Sequence, residues 1–124
     1  MIRIQEILDK VSASNPNADL ELIQKAYVFA ATAHAGQTRL SGEPYLSHPL
    51  AVASILAEMG FDEPTISAGL LHDTVEDTKA TIEELDENFG EDVADIVDGV
   101  TKISMIPFEN KEEAQAENIR KMIL

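Results

Sequence analysis

The sequence predicts an all-α protein, a bundle of about six to seven helices that forms one domain over residues 1–124. Apolar residues recur at spacings of three and four along almost the whole chain, as they do on one face of a helix. No segment shows the strict alternation that is typical of a half-buried strand. Ser, Thr, Asp, Pro and Gly separate the apolar stripes, where helices begin and end.

The first two predicted helices are separated by a polar break. The first has apolar residues at positions 4, 7, 8 and 11 and ends before residues 14–17, Ser-Asn-Pro-Asn, which favour a turn. The second begins near Asp19, and Gly36 is suited to the position after its C-terminus.

The third and fourth helices follow a polar loop over residues 37–47. We expect Ser47 to cap the third helix, which begins at His48-Pro49 and ends at Gly60. Asp62 starts the fourth helix in the same way, and its apolar run continues into residues 69–77.

The C-terminal part of the chain predicts three more helices. Thr81 and Glu84 form a capping-box pattern for a fifth helix that runs to Gly90. An apolar stripe over residues 93–100 predicts a sixth, a loop or irregular turn follows over residues 103–108, and residues 110–124 predict a seventh.

The amino-acid composition argues against several kinds of partner and of metal site. The net charge is −14, from 23 acidic and 9 basic residues, which argues against direct DNA binding and against an anionic membrane as partner. There are no cysteines, so thiolate metal sites and disulfides are excluded. The N-terminus has no signal-peptide pattern. We expect a soluble, cytoplasmic protein.

The residues from Gly69 to Asp77 concentrate the chemistry of the chain. If the fourth helix continues through them, His72 and Glu76 lie one turn apart, as do Asp73 and Asp77. Carboxylates this close to each other and to an apolar run repel unless a cation or a proton compensates. The stretch therefore indicates a divalent metal site.

His48, His72 and Asp73 are the candidate metal ligands. Imidazole and carboxylate suit a first-row divalent ion such as manganese, iron or zinc, and two antiparallel helices would bring the three together. The structural alternative is that each histidine is a capping or core residue held by a local hydrogen bond.

Glu76 and Asp77 are the candidate catalytic groups. A carboxylate beside a metal site can take a proton from water and later protonate a leaving oxygen. The alternative is a solvated acidic helix end, although acidic residues there oppose the macrodipole.

Five other residues have candidate roles, each with a plainer alternative. Arg39 can pair with phosphate or stack on a base, but an exposed loop arginine is usually solvated. Tyr45 can stack or pack under the loop, and Ser41 can belong to a simple turn. Lys102 can meet a phosphate or act as an ordinary helix-end cation. His34 is most simply a helix-end histidine, and the alternative is that it faces the side on which a nucleotide binds.

Four ordered motifs carry a family resemblance: residues 34–49 (HAGQTRLSGEPYLSHP), 70–78 (LLHDTVEDT), 89–90 (FG) and 97–102 (VDGVTK). They closely resemble the N-terminal hydrolase domain of the RelA/SpoT family, whose members make and destroy the alarmone (p)ppGpp and belong to the HD phosphohydrolase superfamily. The resemblance implies an HD-type helical bundle around Mn²⁺, with other divalent metals as alternatives, and a role in the stringent response.

The resemblance also implies residue roles. His48, His72 and Asp73 would bind the metal, and Glu76 and Asp77 would activate the water that attacks the 3′-pyrophosphate, giving GDP or GTP and pyrophosphate. In this comparison Arg39 would contact guanine, with Ser41 and Tyr45 in the nucleotide pocket; Lys102 is our further candidate for a phosphate.

The chain departs from the family pattern at its C-terminal end. The family supplies a further Asp ligand in a Leu-Ala-Asp-Arg-Leu-His-Asn type segment, which is absent here, and the last predicted helix has no capping signal after Leu124. We therefore expect a truncated hydrolase domain with weak metal binding and little turnover. The expected parent also carries GTP pyrophosphokinase activity and associates with the ribosome or a regulator.

Two other functions stay open from the sequence. An HD phosphohydrolase for a different nucleotide would use the same metal cluster, but the loop over residues 39–45 favours the alarmone family. A non-catalytic regulatory or interaction module would use the helices to bind a partner. Metal and nucleotide binding distinguish these alternatives.

Overall fold

The computed structural model describes residues 2–37, 42 and 44–104, which form helices joined by turns, with no β-strand among them. The predicted all-α class is confirmed. The helices are α1 Ile4–Ser14, α2 Leu20–Ala33, α3 Ser47–Glu58, α4 Glu63–Leu71, the single turn α5 Thr74–Asp77, α6 Ile82–Phe89 and α7 Glu91–Ser104. None of them is long and apolar enough to cross a membrane in this described part. The predicted helix over residues 110–124 lies outside it.

Helix α4 is the centre of the bundle. It packs against α2, α3 and α7, and every residue from Ile66 to Leu71 is buried. A helix that is apolar on all sides is stable only inside a core, which is where α4 lies. At Gly69 a Cβ would lie 2.8 Å from Cδ1 of Leu56, so the glycine permits the close approach of α3. The core therefore holds the end of α4 against α3, beside the candidate ligands.

Side-chain caps fix where several helices begin. The Asp62 carboxylate accepts a hydrogen bond from the Thr65 amide at 3.0 Å, and the Thr81 hydroxyl accepts one from the Glu84 amide at 3.2 Å. Each cap satisfies an amide that has no partner within the helix. The predicted starts of α4 and α6 are thereby confirmed.

Loss of the Asp62 cap is expected to destabilise the chain. Asp62→Ala leaves the Thr65 amide without its acceptor, so the free energy of unfolding should fall by about 1 kcal/mol. Asp62→Asn keeps a capping oxygen and should stay close to the unmodified chain. Urea unfolding followed by circular dichroism measures both; equal losses in the two variants would contradict a capping role.

The predicted cap at Ser47 is wrong. Ser47 is the first residue of α3, and the preceding Leu46, which occupies the N-cap position, is already helical, with φ −67° and ψ −15°. A capping residue needs a non-helical backbone. The Ser47 amide donates to the Pro44 carbonyl at 3.1 Å, so the turn before α3 runs directly into the helix.

The fourth helix does not continue through residues 72–77 as the sequence predicted. It ends at Leu71, and α5 begins at Thr74. His72 Nδ1 hydrogen-bonds the Gly69 carbonyl at 2.6 Å, and the Thr74 hydroxyl donates to the Leu71 carbonyl at 2.7 Å. Because these side chains engage carbonyls at the end of α4, they compete with continuation of the backbone ladder. His72 and Glu76 therefore belong to different helical segments.

Helix α7 extends further than expected. It includes Ile103 and Ser104, where the sequence predicted a loop or irregular turn. The Thr101 hydroxyl donates to the Val97 carbonyl at 2.9 Å, and Lys102 pairs with Asp98 at 3.0 Å one turn earlier. A cation near a helix C-terminus is favoured by the macrodipole, so the last turn of α7 is locally supported.

Candidate metal centre and its neighbours

Three side chains from two packed helices meet at one point. His48 lies in the first turn of α3, His72 directly follows the last residue of α4, and Asp73 comes next. His72 Nε2 lies 3.2 Å from Asp73 Oδ2, and His48 Nε2 lies 4.0 Å from the same oxygen. One ligand atom from each of the three lies within 4.8 Å of the others. The fold thus assembles the three candidate ligands.

The hydrogen bond to the Gly69 carbonyl fixes which ring nitrogen of His72 carries the hydrogen. A carbonyl oxygen only accepts, so His72 Nδ1 carries the hydrogen in that 2.6 Å contact. In the neutral ring, Nε2 then presents a lone pair toward Asp73. Orientation of a ligating histidine by a carbonyl on its other nitrogen is a recurring feature of metal sites.

The donor set fits a divalent cation. Two donors bound to one metal at about 2.0–2.2 Å lie roughly 3–4 Å apart, and the two separations to Asp73 Oδ2 agree with that range. A lone pair and a carboxylate facing each other at 3.2 Å repel unless a cation or a proton lies near them. The His72 side chain is only 4% exposed, whereas that of His48 is 32% exposed, so the site is open on one side.

Asp77 lies one turn after Asp73, in α5. The Asp77 amide donates to the Asp73 carbonyl at 3.0 Å, so these two residues keep the predicted spacing despite the break before them. The Asp77 carboxylate accepts a hydrogen bond from the Tyr45 hydroxyl. Glu76 and Asp77 are both exposed, so the two acidic groups follow the cluster directly and are accessible to water.

Of the predicted substrate-binding residues, the structure describes Tyr45 and Lys102 but not Arg39 and Ser41. Tyr45 lies beside Asp77, as described. Lys102 is 75% exposed and paired with Asp98 within α7, which matches its plainer interpretation as a helix-end cation. Arg39 and Ser41 lie outside the described residues, so their roles stay predictions.

A cleft of about 640 Å³ opens next to Asp77. Its lining comes from the end of α2, the segment after α5 and the start of α6, and includes Phe29, Gln37, Asp77 and Lys79. None of the three candidate ligands lines it. The cleft therefore reaches Asp77, which lies at the end of α5, without reaching the three candidate ligands.

Sequence reasoning missed the hydrogen bond from Gln37 to Asp77 and the contacts of His34 with Gln37 and Tyr45. His34 directly follows the last residue of α2 and is buried, and its ring stacks on Tyr45 with centroids 4.3 Å apart. Gln37 Nε2 donates to the Asp77 carbonyl at 3.1 Å. This contact spans 40 positions, so no local pattern predicts it; the one available signal was a histidine at a helix end just before the candidate loop.

Comparison with known proteins agrees with these observations. The HD domain family model matches residues 26–124. A GTP pyrophosphokinase from Myxococcus xanthus is 58% identical over 117 residues, or 92% of the chain. The bifunctional (p)ppGpp synthase/hydrolase SpoT from Escherichia coli K12 is 52% identical over 88% of the chain.

A third relative, the GTP pyrophosphokinase rsh from Brucella ovis, is 46% identical over the whole chain. In each of these three relatives the match covers 16% of the relative's length. The family model covers far more than half of the chain, and the predicted resemblance is confirmed. The chain belongs to the HD domain family, in the group of RelA/SpoT proteins.

Proposed function

We propose that this chain carries the site that hydrolyses the 3′-pyrophosphate of (p)ppGpp, releasing GDP or GTP and pyrophosphate. The observation that supports the proposal most is the convergence of His48, His72 and Asp73 within 4.8 Å, directly before an exposed acidic pair. The names of the relatives, which include a (p)ppGpp synthase/hydrolase and a 3′-pyrophosphohydrolase, supply the substrate class.

In this proposal His48, His72 and Asp73 hold a divalent cation, with Mn²⁺ as the expected ion. A cation in this position supplies a Lewis acid next to the phosphoryl group. The Gly69 carbonyl orients His72, so its Nε2 needs no rearrangement to bind. Asp73, between the two histidines, supplies the negative charge that holds the cation.

Asp77 and Glu76 perform the proton transfers. Asp77 takes a proton from the attacking water, and this proton then passes, directly or through Glu76, to the leaving oxygen. Both are exposed in α5, so water reaches them. The Tyr45 hydroxyl donates to the Asp77 carboxylate, which limits the rotation of that side chain and directs its free lone pairs.

The proposed nucleotide contacts come from the loop before α3 and from α7. Arg39 and Ser41 contact the guanosine part, and Tyr45 forms part of the pocket. Lys102 would have to leave its ion pair with Asp98 to reach a phosphate; an exposed pair of this kind is weak enough to exchange. The GTP pyrophosphokinase activity belongs, in this proposal, to sequence that the relatives have and the matched region does not include.

The three ligands do not complete the coordination of a manganese ion. We propose that a further carboxylate completes it and that, as the family resemblance implies, this group is not among the 124 residues. Weak Mn²⁺ binding and slow pyrophosphate release by this chain are the expected results.

The test of the proposed function measures three properties of the 124-residue chain: Mn²⁺ binding, ppGpp binding and pyrophosphate release with and without Mn²⁺. We expect Mn²⁺ and ppGpp to bind and slow release to depend on Mn²⁺. Rapid turnover would refute the missing ligand but support hydrolysis. Release that is unaffected by a chelator would refute the metal mechanism, and absence of both metal and nucleotide binding would favour an interaction module.

A further inference from the structure

We propose that His34 and Gln37 are positioning residues that hold both ends of the loop between α2 and α3 on Asp77. The proposal rests on the proposed function, because Asp77 is the group that takes the proton in it. It adds that the described ends of the loop, Gln37 and Tyr45, form one unit with this carboxylate, so that the base is held in place before a nucleotide binds.

Two hydrogen bonds join the ends of the loop to the same residue. Gln37, at the start of the loop, donates from Nε2 to the Asp77 carbonyl at 3.1 Å. Tyr45, at its end, donates from its hydroxyl to the Asp77 carboxylate. One contact fixes the backbone of Asp77 and the other fixes its side chain.

His34 connects these two contacts to each other. The Asp77 carbonyl only accepts, so Nε2 of Gln37 is the donor and its Oε1 is free to accept. His34 Nδ1 lies 3.2 Å from that oxygen and must therefore donate to it. The His34 ring also stacks on the Tyr45 ring, with 17° between the planes. A single side chain thus supports both ends of the loop.

The burial of His34 is unfavourable for a purely structural residue. Its exposed fraction is 4%, and Nε2 has no hydrogen-bond partner among the described residues. A buried polar atom without a partner destabilises the folded state, and a phenylalanine would fill the same space without that cost. Departures of this kind are expected where a residue serves a site.

The tyrosine content of the chain permits a direct test. The chain has two tyrosines and no tryptophan, so in a Tyr27→Phe parent the emission of Tyr45 is measured alone. Emission from a phenol that donates to a carboxylate is weak, because the excited phenol transfers its proton. Tyr27 is half-buried on α2, and no hydrogen bond of its hydroxyl occurs among the described residues, so its replacement leaves the loop contacts intact.

In the Tyr27→Phe parent, Asp77→Ala removes the carboxylate that accepts from Tyr45. Its emission is therefore the reference value for a Tyr45 hydroxyl without this hydrogen bond. We expect His34→Ala and Gln37→Ala to raise Tyr45 emission by about twofold or more, because the hydrogen bond to Asp77 loses its support. His34→Phe keeps a ring on Tyr45 but loses the hydrogen bond to Gln37, so its emission should lie between those of the parent and of His34→Ala. Adding His34→Ala to Asp77→Ala should give no further rise, because the acceptor of the Tyr45 hydroxyl is already absent. If His34→Ala does not fold, Gln37→Ala tests the same connection.

Pyrophosphate release with the chain in excess over ppGpp supplies the functional measurement. We expect His34→Ala and Tyr45→Phe each to slow release by about tenfold and the double variant to be no slower than either, since both act through Asp77. Tyr27→Phe is the matched loss of a hydroxyl and should leave the rate unchanged.

Three outcomes would each overturn the positioning role. The first is unchanged emission in both His34→Ala and Gln37→Ala, and the second is a rise in His34→Phe equal to that in His34→Ala. The third is additive losses of rate in the double variant of His34 and Tyr45. A lower melting temperature with unchanged emission would make His34 a structural residue only. Absence of release from the unmodified chain would count against hydrolysis by this chain, while the emission series still decides whether the loop is held on Asp77.

Discussion

His72→Ala is expected to weaken Mn²⁺ binding by about 100-fold or more, since even loss of an outer partner of a metal ligand costs 10–100-fold. The substitution removes the most buried of the three candidate ligands. Isothermal titration of the purified chain measures the affinity. Pyrophosphate release from ppGpp should fall to background in the same variant.

Two further variants make this result specific to the cluster. Asp73→Asn keeps the volume of the side chain and leaves the bond from His72 to Gly69 intact, so it should lose Mn²⁺ affinity without loss of fold. Asp86→Asn removes the same charge from an exposed position on α6 and should bind as the unmodified chain does. If His72→Ala and Asp73→Asn both bind Mn²⁺ normally, these residues are not the ligands.

Gly69→Val is expected to lower the free energy of unfolding by about 2–3 kcal/mol, as overpacking of a core does. A Cβ at this position would lie 2.8 Å from Leu56 Cδ1 and 3.5 Å from Val52 Cγ1. Leu56 and Val52 are both 1% exposed, so neither side chain has room to withdraw. Helices α3 and α4 would have to separate beside the candidate ligands.

Gly99→Val is the matched control for that substitution. Gly99 lies within α7 and is exposed, and a Cβ there meets nothing within 4 Å among the described residues. Valine is a slightly better helix former than glycine, so stability should change by less than about 0.5 kcal/mol. Chemical unfolding of both variants measures the difference; equal losses would show that the contact with α3 does not explain the effect at Gly69.

Much of the fold was predictable because it depends on local patterns. The apolar stripes gave the helices, and the caps at Asp62 and Thr81 gave two helix starts to the residue. Ser47 failed as a cap because the turn before it is already helical, and single-residue propensity does not report the conformation of a preceding turn. Caps are predictable when the residue before the helix is extended.

The candidate site was predictable in composition but not in geometry. The residue types of His48, His72 and Asp73 indicated a metal, whereas the break in the helix depends on side chains that bond carbonyls behind them. Thr74 and Asp73 are residue types that compete for backbone hydrogen bonds, which was the available signal. Contacts between Asp77 and residues 32 or 40 positions earlier require the tertiary fold.

The bond between His72 and the Gly69 carbonyl has a consequence for metal exchange. Rotational freedom of that imidazole is lost when the chain folds, so little remains to be lost when an ion arrives. Replacing one ion by another would then leave the backbone unaltered. Preference among manganese, iron and zinc would follow from the kind and number of donor atoms and from which ion the cell makes available.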